Sequence, residues 1–79
     1  MERRRGYKGF VIEAFPHELK DGSGFTTDFF IEDHDASGVN VTQFVLKNVF
    51  RTEDEAIIAA HEAGKQKIDS GWHPESVPA

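Results

Sequence analysis

The sequence predicts an α+β fold: a three-stranded antiparallel meander followed by one C-terminal helix packed on one sheet face. Three observations predict it. Residues 7–50 hold three runs rich in aromatic and β-branched residues, separated by turn residues. The connections are short, which favours neighbouring antiparallel pairs over parallel crossovers. Arg51 to Gly71 then carries the start and stop signals of a helix.

The first predicted strand is Tyr7 to Phe15, YKGFVIEAF, and Pro16 closes it because proline cannot donate to a ladder. Pro16 to Gly24, with Asp21-Gly22-Ser23-Gly24, reads as a loop. Phe25 to Glu32 is the second strand, Asp33 to Gly38 the second turn, and Val39 to Phe50 a longer third strand, bent or bulged. The helix is expected over residues 53–69. Thr52 is its N-cap, and Glu55 completes a capping box. Glu53, Asp54 and Glu55 complement the positive end of the helix dipole, and Lys65 and Lys67 the negative end. Ser70-Gly71 supplies the stop. Residues 1–5 then read as a flexible basic tail, 6–71 as the single domain, and 72–79, with Pro74 and Pro78, as a C-terminal tail.

Seventy-nine residues leave room for one core only, and a chain this short is marginal without further support. Cysteine is absent, which removes disulfides, thiolate metal ligands and thiol nucleophiles. No segment is long or apolar enough to span a membrane. The basic start is followed by an apolar run that Lys8 and Glu13 interrupt, with no small-residue cleavage site, so no signal peptide is expected. These features predict a cytoplasmic protein.

The formal net charge is −5. Three arginines and one glutamate give residues 1–5 a charge of +2, so residues 6–79 carry −7. An acidic body repels nucleic-acid phosphates, the groups that dominate affinity for DNA.

Alternation along the strands makes both sheet faces partly apolar. On one face stand Phe10, Ile12 and Ala14, then Phe25, Phe29 and Ile31, then Phe44, Leu46 and Phe50. The helix stripe of Ala56, Ile57, Ala60, Gly64 and Ile68, flanked by Ala63, can cover that face. Tyr7, Val11, Phe15, Phe30, Val41 and Val45 are assigned to the other. One helix cannot cover both, and monomers rarely leave a large apolar patch in water. The row is therefore the expected interface of a homodimer or of a protein partner. The C-terminal tail, with Trp72 and Val77, is the competing cover.

Tyr7-Lys8-Gly9-Phe10-x-Ile12, the two later strands, and Phe50-x-Thr52-x-x-Glu55-Ala56 running to Lys67-Ile68-Asp69-x-Gly71 resemble small bacterial β-β-β-α proteins of uncharacterised function. The arrangement is similar, more distantly, to the haemolysin-activator HlyU family. The resemblance covers residues 6–71 and implies a bacterial source; the activator family would imply a role in transcription. The β-β-β-α order also looks like the latter part of a double-stranded-RNA-binding domain. Where that family needs a basic helix start, this chain has Glu53, Asp54 and Glu55.

Candidate sites are few. Asp33-His34-Asp35-Ala36-Ser37-Gly38 matches the first half of a calcium loop, with Asp33, Asp35 and Ser37 as ligand positions. The bidentate glutamate such loops need at position twelve is Phe44 here, so a hairpin turn is the favoured reading. His17, His34, His61 and His73 are scattered and form no paired zinc motif. Gly22-Ser23-Gly24 joins two strands, not a strand and a helix, so it is no phosphate loop. No group assigns nucleophile, acid and base. The expectation is a non-enzymatic interaction module without cofactor, probing other proteins as a homodimer. The alternative is a small transcription-associated or nucleic-acid-binding regulator, resting on Arg3 to Arg5 and Lys8.

Overall fold

A computed structural model describes residues 1–35 and 37–74. Its elements are β1 (Arg4–Tyr7), β2 (Phe10–Glu18), β3 (Phe25–Asp35), β4 (Gly38–Phe50) and α1 (Glu53–Asp69). The sheet is antiparallel throughout in the order β1-β2-β3-β4, and α1 packs across one face. The fold is thus α+β with a C-terminal helix, but the sheet has four strands and not three.

The extra strand arises at Lys8-Gly9. Both residues have positive φ, 49° and 85°, and they form the two-residue loop of a hairpin in which Tyr7 faces Phe10. Such loops need a left-handed conformation at both positions, which glycine adopts freely and lysine does not. A continuous strand from Tyr7 is therefore the wrong reading. The basic segment expected to be a tail contributes Arg4 and Arg5 to β1.

Pro16 does not end β2, which runs on to Glu18. The Ala14 N–H donates to the Arg3 carbonyl, and alternate residues of a strand point to the same side. The Pro16 nitrogen therefore faces the same edge, beyond the start of β1, where no donor is needed. At the other end, Gly24 closes against Phe50, whose carbonyl oxygen a Cβ on Gly24 would strike. The adjoining register shift between Phe25 and Thr27 lets the long β4 bend there.

The helix occupies the predicted span. Thr52 accepts from the Glu55 N–H at 3.1 Å, and Glu55 reaches back to the Arg51 N–H at 3.2 Å. Gly71, with φ 86°, follows the Ser70 C-cap. Removing the cap hydroxyl should cost about 1 kcal/mol, so Thr52→Ala should lower the denaturation midpoint with an unchanged slope.

Ile57, Ala60, Gly64 and Ile68 of α1 lie over Ile12, Ala14, Phe29 and Ile31, which form the buried core. Phe44 stacks on Phe29 at 5.0 Å between ring centres. Trp72 closes the end of this core, edge-on to Phe44 at 5.4 Å and tilted against Phe10 at 6.3 Å. Trp72 therefore covers the helix-bearing face and not the opposite one. Val77 lies outside the described residues.

Candidate functional site

The two edges of the sheet differ in kind. β1 is four residues long and carries Arg4 and Arg5, and Pro16 occupies the uncovered part of β2. Short strands, charges and proline are the devices that keep an edge from pairing. β4 carries little of this protection. It is 13 residues long and its only charge is Lys47. At about 3.4 Å per residue it runs about 40 Å, close to the 45 Å length of the molecule.

The register fixes which backbone groups of β4 point away from β3. The Leu19 N–H donates to the Gly24 carbonyl, so the odd residues of β2 point at β3. Their partners Asp28, Phe30 and Glu32 point back. Thr27, Phe29, Ile31 and Asp33 must then point at β4, engaging Leu46, Phe44, Thr42 and Asn40. The N–H and C=O groups of Val39, Val41, Gln43 and Val45 are left facing outward. The side chains of the same four residues project from the sheet face that the helix does not cover. Val39, Val41 and Val45 are 55%, 55% and 62% exposed.

Of the predicted interface row, Val11, Phe15, Phe30, Val41 and Val45 share that uncovered face. Tyr7 does not. The Lys8-Gly9 hairpin returns the chain and places Tyr7 against the core, with its hydroxyl donating to Asp69 at 2.8 Å. Nor is the row continuous. Across the sheet Phe15 is followed by Asp28 and Val45, Glu13 by Phe30 and Gln43, and Val11 by Glu32 and Val41. Phe15 meets Phe30 edge-on at 5.0 Å, but carboxylates interrupt every row.

Most polar groups around this face are already engaged. Glu32 binds the Arg4 guanidinium through both oxygens and His34 Nε2 at 3.1 Å. Hydrogen bonding to Arg4 holds its carboxyl below the ordinary carboxylate range. Gln43 donates to Asp28 at 2.9 Å. Asp35, of the candidate calcium positions, accepts from the Ser37 N–H and hydroxyl on one oxygen and from Asn40 on the other. That is an Asx-type turn closing the β3–β4 hairpin, with Asp35 paired to Gly38. Asp33 stands two residues away, opposite Asn40.

On the helix side, Lys8 and Tyr7 both bond Asp69, tying the first hairpin to the end of α1 and lowering the Asp69 pKa. His61 is buried at 4% exposure, with Nε2 donating to the Glu2 carbonyl at 3.2 Å. Its Nδ1 has no partner among the described residues. His61 was missing from the predicted stripe, although its place four residues after Ile57 and seven before Ile68 puts it there. It borders a shallow cleft of about 290 Å³ with Glu2, Arg5 and Lys65. Burial pushes its pKa down, which sets a pH dependence. A lowered folded pKa contributes stability that is complete above the unfolded value, about 6.5. That contribution is lost as pH falls from there through the folded value. Asp69 and Glu32, also lowered, give a second loss beginning only near pH 4. Denaturation midpoints followed against pH should show both windows, and His61→Leu should abolish the upper one alone.

No described helix is long and apolar enough to cross a membrane. Comparison with protein-family models, curated proteins and solved structures gives no match.

Proposed function

We propose that the chain is a cytoplasmic, non-enzymatic protein-interaction module that works as a homodimer, its contact surface the side of the sheet bounded by β4. The observation that carries this reading is β4 itself: a long edge, charged only at Lys47, whose outward backbone groups have no partner among the described residues and coincide with three exposed valines. Soluble domains defend such edges or use them.

Charge supports a protein partner over a phosphate one. Arg3 pairs with Glu53 at 2.8 Å and Arg4 with Glu13 and Glu32, so two of the three tail arginines are neutralised within the molecule. A binding role also suits a chain whose Asp35, Glu32 and Asp69 are held in structural contacts.

Full burial of a valine contributes about 1.5–3 kcal/mol. A neighbouring strand covers only part of the three valines on each copy, so apolar burial adds at most a few kcal/mol, roughly, beside the new backbone hydrogen bonds. Association costs of about 4–15 kcal/mol stand against this. The dimer should accordingly be weak and dissociate on dilution. Light scattering should find a dimer at tens of micromolar, and Val45→Glu should weaken it while leaving the monomer folded. Ile58→Glu, an equally severe change at an exposed position of α1, should leave the dimer intact. A wild-type monomer at all concentrations, or equal effects of both variants, would contradict the proposal.

A further inference from the structure

We infer that the β4 strands of two copies pair edge to edge, antiparallel about a two-fold axis at Thr42, making one continuous eight-stranded sheet. This rests on the homodimer reading and names its geometry. Stacking the uncovered faces is the competing geometry. It would place Glu13, Asp28 and Glu32 of both copies in a closed interface, because these carboxylates alternate with the apolar residues in every row. Burying charges without new partners is costly. Edge pairing leaves all six carboxylates on an open surface.

The outward-facing residues choose the register. Val39, Val41, Gln43 and Val45 are symmetric about position 42. A two-fold axis there sets Val39 opposite the second copy's Val45, and Val41 opposite its Gln43. Every outward N–H and C=O in this stretch gains a partner, and the lone charge of Lys47 stays outside it. Thr42 meets its own copy as a non-hydrogen-bonded pair, with Cα atoms about 4.5 Å apart. Opposite residues share a face, so the valines remain together and both helices lie on one side of the joined sheet.

Proline tests the edge and cysteine the register. The Val41 N–H points outward, so Val41→Pro removes no bond to β3, as Pro16 removes none in β2. The expected result is a monomer with a native circular-dichroism spectrum, whereas Val41→Thr, which keeps the N–H, stays dimeric. A Val41→Pro dimer would overturn edge pairing and leave the homodimer standing; a wild-type monomer would overturn both. The chain has no cysteine. Thr42→Cys should therefore cross-link to its own copy when oxidised glutathione is added, within the 4.4–6.8 Å Cα range of disulfides, roughly. Lys47→Cys should not. Cross-linking at position 47 and not at 42 would overturn the register, and this pair decides the matter even if the proline variant fails to fold.

Discussion

Phe29→Ala should cost about 3–5 kcal/mol, while Phe30→Ala, the same change one residue later, should cost a small fraction of that in the monomer. Phe29 is 3% exposed, stacks on Phe44 and lies in the core under α1. Phe30 is half-buried on the uncovered face and meets only one other ring, Phe15. Roughly 0.05–0.15 kcal/mol per residue gives a 79-residue domain about 4–12 kcal/mol in all. Phe29→Ala therefore removes a large part of the total. Urea denaturation at low micromolar protein measures both variants without contribution from association. Equal losses would mean that the two faces are covered alike.

Gly64→Leu should destabilise by about 3 kcal/mol, at the upper end for overpacking. Gly64 is buried where α1 crosses β2. A Cβ there would stand 2.9 Å from both Cδ1 and Cγ2 of Ile12, which is itself fully buried. Even alanine forces Ile12 to shift, which opposes the roughly 1 kcal/mol that alanine gains over glycine within a helix. The source of the cost can be isolated by a double-mutant cycle. Ile12→Val removes one of the struck atoms, so its combination with Gly64→Ala should lose less than the two single changes together. Strict additivity would show that the helix does not approach the sheet at Gly64.

These two sites differ in how far the sequence revealed them. The small residues of α1 and its cap chemistry were legible because both are local: a 3.6-residue period and a capping box sit within a few residues of one another. The span of α1 and the apolar stripe followed from that. The β1 hairpin was not legible, because a two-residue turn with Lys8 at positive φ looks like a strand with alternating residues. That one turn moved Tyr7 to the opposite face and turned Arg4 and Arg5 into edge residues. Pro16 misled for a related reason: whether proline ends a strand depends on which edge its nitrogen faces, a property of the neighbouring strand. Trp72 stood in a segment without periodicity, and only the aromatic pair Phe10 and Phe44 fixes its side. The candidate surface was half legible. Alternation gave its residues, but the free edge of β4 and the carboxylates between the apolar groups required the register of four strands.

Amide hydrogen exchange along β4 reads directly whether this edge is covered in solution. Asn40, Thr42, Phe44 and Leu46 point at β3 and should be protected at every concentration. Val39, Val41, Gln43 and Val45 point outward. At high micromolar protein their amides should be as slow as those of their inward neighbours, and they should become fast on dilution. Fast exchange at these four positions at every concentration, beside protected neighbours, would show an open edge and contradict the account.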